Sequence, residues 1–369
     1  MLAFTLFALA GGFASPPAGW LVDRFGGRKV VLVCALASGA LFCLLALVND
    51  LWLFLAIWAV NGAVMAGTGS VPTSAMVTHW FVRRRGLAIG IMAAGVGVGG
   101  LVFVPLVNSW LMPAFGWRAT FIALGVLTWL VLAPLAAFVM KDRPSEMGLN
   151  PDGAEGGALN YPVEKPPSHG NLPLRQAMAT APFWLIAAGF LFGGFSQAGM
   201  MQHQAPYLGD AQVDPSLVSG ALGAVGLFSM IGKIFFGWLS QRINPKYSWA
   251  IAVTLQAAAA VTLLNVSAGG HPELIWLFAV LLGLGVGGWL PAMSLLISSG
   301  FGLASYGAIF GVISLVFGVG QALGPLTAGY LYDGTGSYRL AIFIFLGCYA
   351  ATALAMLLIR SRRRAESAG

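Results

Sequence analysis

Charge is what this sequence has least of. Only 8% of its 369 residues are Asp, Glu, Lys or Arg, against roughly a quarter in an ordinary soluble domain, and so little charge cannot cover a soluble surface. Acid is scarcer still. The twelve Asp and Glu residues fall in connections, in the tail or at the ends of apolar runs, which leaves no paired carboxylates at a shared depth for acid–base chemistry and argues against a membrane enzyme. Cysteine is rare as well. Cys34, Cys43 and Cys348 are the chain's three, all inside apolar runs and without the close pairing of a redox motif or metal site. They read as small packing residues, and neither a metal nor a cofactor is expected. No basic segment precedes the first apolar run, so that run is expected to be a retained helix and not a cleaved secretory signal.

What is abundant is apolar length. Hydrophobic residues make up 58% of the chain, and a membrane-spanning helix needs about 20 of them in succession. Apolar runs bounded by turn or charge signals fall at 1–21, 30–48, 51–77, 87–111, 118–140, 179–204, 216–239, 247–267, 273–297, 303–332 and 338–359. They predict an all-α polytopic membrane protein of about eleven spans. One polar interruption, 141–178, is rich in proline, glycine and charge and reads as a linker with a short helix near Arg175. The expected organisation is therefore a five-helix bundle over 1–140, the linker 141–178, a six-helix bundle over 179–360 and a basic tail at 361–369.

Basic residues set the orientation. Alternate connections hold Arg24, Arg28 and Lys29; Arg83, Arg84 and Arg85; Lys141, Arg143, Lys165 and Arg175; Arg242 and Lys246; and the tail holds Arg360, Arg362, Arg363 and Arg364. That is 16 of the 19 basic residues on one side, which marks that side and the C-terminus as cytoplasmic. The net charge of +7 thus belongs to short loops beside a lipid bilayer, and no nucleic-acid partner is expected. With eleven spans and the first loop inside, the N-terminus lies outside.

The first loop, Gly19-Trp20-Leu21-Val22-Asp23-Arg24-Phe25-Gly26-Gly27-Arg28-Lys29, has a fainter echo in Gly237-Trp238-Leu239-Ser240-Gln241-Arg242-Ile243-Asn244-Pro245-Lys246. The echo follows the second helix of the latter half, whereas the original follows the first helix of the former half. The chain is accordingly expected to start one helix late.

Gly19, Leu21, Asp23, Arg24, Gly26, Arg28 and Lys29 resemble the loop signature of the major facilitator superfamily. The resemblance implies two pseudo-symmetric helical bundles, with this loop joining the family's second and third helices. The segment from Trp80 through Arg83, Arg84, Arg85 and Gly86 to Gly95 is similar to the stretch entering the fifth helix of monocarboxylate transporters and oxalate:formate antiporters. Gly232-Lys233-Ile234-Phe235-Phe236-Gly237 resembles their eighth helix, where an arginine usually binds the substrate carboxylate. Lysine keeps the charge but not the bidentate fork. Oxalate carriers also have a lysine in the eleventh helix, where Gln321 stands here, which disfavours a dicarboxylate.

Physical chemistry weighs the same residues. A charge inside a span costs about 2.5–3.5 kcal/mol on insertion scales and marks a ligand or ion path, so Lys233 is the foremost substrate-binding candidate. The bland alternative is a lysine snorkelling to the interface. His203 and Tyr207, at the end of the sixth apolar run, are candidates for the outer vestibule and for carrying a proton near neutral pH; a solvated helix-end histidine is the alternative. Asp23 has the position to pair with a cation or cap a neighbouring helix, latching one face, while Arg24, Arg28 and Lys29 set topology. Glycines clustered within spans mark close helix packing. Together these readings predict a secondary transporter of a small organic anion, a monocarboxylate, working by alternating access with proton coupling or exchange in a bacterial inner membrane. A monomer suffices for this. The alternatives are an exporter of drugs or other small molecules on the same fold, or a non-transporting receptor or sensor.

Overall fold

The computed structural model describes residues 2–153, 171–266 and 271–359. Most of the linker, with Lys165, and the basic tail from Arg360 lie outside the described residues. The elements are α1 (Leu2–Phe25), α2 (Gly27–Leu45), α3 (Leu51–Met65), α4 (Ser70–Trp80), α5 (Arg85–Pro105), α6 (Met112–Leu127), α7 (Leu174–Met178), α8 (Ala181–Asp210), α9 (Pro215–Arg242), α10 (Pro245–Leu264), α11 (Pro272–Val286), α12 (Trp289–Phe301), α13 (Tyr306–Thr335) and α14 (Arg339–Leu358). No strand occurs among the described residues.

Ten segments are long and apolar enough to cross a membrane, one of them running from Leu106 to Val139. That segment is broken at Gly116, whose φ of 75° and ψ of 169° turn the chain out of the helix. Residues 85–115 therefore make one pass and 117–139 the next, so the described residues cross eleven times. α3 with α4, and α11 with α12, are each a single pass with a short break. The helix ends follow from local chemistry. Asp50 accepts the Leu53 N–H and starts α3; Asp214 and Asn244 cap α9 and α10 just ahead of Pro215 and Pro245, where a missing N–H costs nothing. The Ser216 hydroxyl and N–H hold the Asp214 carboxyl below the usual carboxylate range.

The passes form two halves that meet through two helix pairs, α1 with α13 and α5 with α9. In the first pair Gly19 lies against the Gly307 carbonyl, Gly311 against the Ser15 carbonyl, and a side chain started at Gly318 would sit 3.9 Å from the Gly12 Cα. In the second, Gly86 lies against the Gly237 carbonyl, Gly90 against the Lys233 carbonyl, and a side chain started at Gly97 would sit 3.5 Å from the Met230 Cβ. The two sets correspond at constant offsets: Gly19, Ser15 and Gly12 match Gly237, Lys233 and Met230, while Gly307, Gly311 and Gly318 match Gly86, Gly90 and Gly97. This is the pseudo-two-fold of the fold, and the Gly-Trp-Leu echo is its visible trace in the sequence.

Both interfaces are tightest at the end bearing the Gly19–Lys29 loop and slacken away from it. Further out, no atom lies within 4 Å of a side chain started at Gly99 or Gly100 of α5, or at Gly223 or Gly226 of α9. The halves thus join at the loop end and part toward the opposite, open end. A buried polar link crosses between them at the join, with Ser294 of α12 2.5 Å from the Tyr306 hydroxyl and 3.5 Å from Thr78 of α4.

Overfilling these contacts separates the halves. Gly90→Leu or Gly311→Leu is expected to cost about 1–3 kcal/mol and lower the detergent-solubilised melting temperature by about 2–6 °C, whereas Gly99→Ala leaves it essentially unchanged; thermal unfolding followed by tryptophan fluorescence checks both.

Candidate transport site and gate

The Gly19 contact brings the end of α1 so close to α13 that a carboxylate one turn further on reaches that helix's first turn. Asp23 accepts the backbone N–H groups of Gly307 and Ala308, each at 2.8 Å. These are the second and third residues of α13, where unpaired N–H groups and the helix dipole both favour negative charge. The loop's other charges anchor it locally. Arg24 stacks over Trp20 and Phe25 at 5.1 and 5.3 Å, the Arg28 N–H donates to Asp142 at 2.8 Å, its guanidinium reaches the Ala137 carbonyl, and Lys29 is exposed. Gly26, at φ 88°, makes the reversal between α1 and α2 against the Asp142 carboxylate, a conformation and a space that a side chain would not fit.

The same construction recurs at the other interface with weaker chemistry. Gln241, at the position matching Asp23, accepts the Leu87 N–H at 3.4 Å, the third residue of α5. An amide replaces a carboxylate and one long bond replaces two short ones. The neighbouring basic loop is held by Asp152, which accepts the N–H groups of Val82 at 3.1 Å and Arg83 at 2.8 Å. Arg85 donates to the Phe81 carbonyl at 3.0 Å, Arg84 is exposed, and Gly86 is the contact point with Gly237. Sequence reasoning missed Gln241 as a helix cap, although the Gly-Trp-Leu echo places it where Asp23 stands in the first loop. It also missed Asp142 and Asp152, whose partners lie more than sixty residues away.

Lys233 sits at the last tight contact of the α5–α9 crossing, with its own carbonyl against Gly90. Its side chain is half-buried and, among the described residues, has no hydrogen-bond or ion-pair partner. α9 runs from the open end to the loop end, and the Cα–Cβ bond of a helical residue tilts toward the helix N-terminus. The first bond of the Lys233 side chain therefore tilts toward the open end. Gln321 lies on α13 about one turn past Gly318, the last contact of the other crossing, and its amide likewise lacks a partner among the described residues. By the correspondence of the two crossings Lys233 stands level with Gly90 and its counterpart Gly311, and Gln321 follows Gly311 by ten residues, further toward the open end.

His203 and Tyr207 lie elsewhere. Spaced to share one face of α8, they line a small pocket enclosed by α8, α10, α13 and α14, to which neither Lys233 nor Gln321 contributes. His203 Nε2 is 3.0 Å from the Pro325 carbonyl of α13, and its ring packs 5.1 Å from that of Tyr338. Burial, with Asp210 and Asp333 nearby, pushes the Tyr338 phenol above its ordinary range, so it stays protonated. Of the four candidates, the structure brings only His203 and Tyr207 together.

Two pseudo-symmetric bundles, joined at one face through capped helix ends and parted at the other around an unpaired cation, define a membrane carrier fold. The chain belongs to the Major Facilitator Superfamily, whose family model matches residues 1–325 and 212–369. It is 26% identical over 372 residues to the MFS-type transporter YcxA of Bacillus subtilis, covering 98% of this chain and 87% of that protein. It is 26% identical over 339 residues to monocarboxylate transporter 13 of Rattus norvegicus, covering 91% and 74%, and 25% identical over 280 residues to the oxalate:formate antiporter of Oxalobacter formigenes, covering 75% and 63%. The fold matches the E. coli fucose:proton symporter FucP with a TM-score of 0.71 at 17% identity, over 98% of this chain and 90% of that one.

The two caps should differ in strength. Asp23→Ala removes a charged cap worth about 1–2 kcal/mol, roughly a tenfold loss in the population closed at the loop end, while Gln241→Ala costs roughly threefold or less. Spin-label distances across the loop end measure this order.

Proposed function

We propose that the chain is a secondary transporter that moves a small organic anion, a monocarboxylate, by alternating access, with Lys233 binding the carboxylate. The observation that carries this reading is the half-buried Lys233, without a partner at the neck between the halves. A desolvated cation with no protein counter-ion is a site for an anion, and binding of the anion recovers what burial costs the ammonium. Gln321 supplies an amide donor further toward the open end but no second positive charge, which suits one carboxylate better than two. The relatives include a monocarboxylate transporter and an oxalate:formate antiporter, which supports the same substrate class.

Alternating access follows from the asymmetry of the interfaces. The loop end is the cytoplasmic one on the distribution of basic residues, so the conformation is outward-facing, closed inside by the Asp23 and Gln241 caps. Rocking about the glycine crossings would release α13 from Asp23 and α5 from Gln241 and expose Lys233 to the cytoplasm. The protein acts as a carrier without catalysis, in the bacterial inner membrane with its C-terminus inside.

In proteoliposomes, uptake measured with lactate, pyruvate, formate and oxalate should favour a monocarboxylate. Lys233→Gln should reduce that uptake by about 10- to 100-fold, with Lys233→Arg retaining more of it. Undiminished uptake by Lys233→Gln would remove the site, and thermal stabilisation by lipophilic cations rather than by these acids would point to an exporter of drugs.

A further inference from the structure

The polar linker meets the closed face at two matched places. Asp152, in its first part, accepts the N–H groups of Val82 at 3.1 Å and Arg83 at 2.8 Å in the turn between α4 and α5. Asn171, in its last part, accepts the Leu303 N–H at 3.0 Å in the turn between α12 and α13. Val82 and Leu303 correspond under the same constant offset that pairs Gly86 with Gly307 and Gly90 with Gly311. So do Leu87 and Ala308, whose N–H groups go to Gln241 and Asp23. One connection thus bonds equivalent N–H groups in equivalent turns, and each turn leads into a helix whose first residues join the two halves.

Both anchors are themselves fixed. The Leu172 N–H donates to the Phe301 carbonyl at 3.0 Å, so Asn171 and Leu172 grip the chain on both sides of Gly302 and satisfy groups that the end of α12 leaves open. Gly302 has φ 81° and lies against the Asn171 side chain, which leaves no room for a side chain of its own. Leu172, Leu174 and Met178 pack on the main hydrophobic core, and Trp184 Nε1 donates to the Met178 carbonyl at 2.8 Å. On the other side Trp80 Nε1 donates to the Lys141 carbonyl at 2.8 Å, tying the start of the linker to the end of α4. Asp152 adopts φ 60°, a left-handed conformation that a residue with a side chain holds only where its surroundings fix it. Each anchor therefore belongs to the half whose turn it holds.

We propose that Asp152 and Asn171 are positioning residues of the closed face: they order the turns ahead of α5 and α13, so that the first N–H groups of these helices reach Gln241 and Asp23 already in place. This rests on the reading of the chain as an alternating-access carrier, in which these joints open and re-form. A cap contributes only what remains after its donors have been ordered, and ordering the backbone of one residue costs about as much as one hydrogen bond gains. Because an anchor and its turn lie in the same half, rocking breaks the joint and leaves the anchor intact. The closed face then re-forms without the helix starts having to be ordered again. The residues couple in two pairs, Asn171 with Asp23 and Asp152 with Gln241.

Double-mutant cycles on the full chain, read as spin-label distances across the loop end without substrate, test this pairing. Asn171→Ala should lower the population closed at the loop end roughly threefold. With Asp23→Ala present it should lower it no further, and with Gln241→Ala present it should keep its full effect. Asp152→Ala should show the mirror pattern, and Asp152→Asn, which keeps an acceptor, should stay near the wild type. No loss, or an equal loss in every background, overturns the proposal. Amide hydrogen exchange provides a second measurement: exchange in the first turn of α13 should rise roughly threefold in Asn171→Ala, and in that of α5 in Asp152→Ala. Unchanged exchange overturns the proposal. If no variant opens at the loop end, the alternating-access reading fails, and the exchange rates still decide whether the anchors order these turns.

Discussion

Backbone contact at Gly19 and Gly307 is the constraint from which the closed face of this protein follows. Two helices can approach to that distance only where neither has a side chain, and only at that distance does the carboxylate of Asp23 reach the first N–H groups of α13. Gly307 and Ala308 are buried by the protein around them, so the cap is at once a satisfied helix end and a joint between halves. The second crossing repeats the geometry at Gly237 and Gly86 with an amide as the cap. The closed face thus has one strong joint and one weak joint on a common plan.

Scarcity of charge makes the remaining charges informative. Most basic residues are spent on loops, and the acids on helix ends: Asp23, Asp50, Asp142, Asp152 and Asp214 each accept backbone N–H groups. Among the described residues none of the acids pairs with Lys233.

Much of this could be read from residue order. The eleven apolar runs agree with the eleven passes to within a few residues, because hydrocarbon thickness dictates run length, and the short helix near Arg175 is present as Leu174–Met178. Lys233 stood out because a lysine between apolar residues is conspicuous. Gln241 did not, since an amide near a helix end has many innocent explanations, and its role needs the partner helix to be seen. His203 and Tyr207 were visible as polar residues four apart on one face, but which neighbour that face meets is not written in the spacing.

Composition settles that the chain is a helical membrane protein and where its apolar segments lie, since these depend on the local transfer of each segment between water and lipid. Tertiary packing alone decides that Asp23 holds α13, that Gln241 copies it on α5, that Lys233 stands at the neck of the cleft, and that His203 belongs to a pocket apart from it. These are relations between helices hundreds of residues apart in sequence, set by which glycine faces fit together, and no local preference of the chain encodes them.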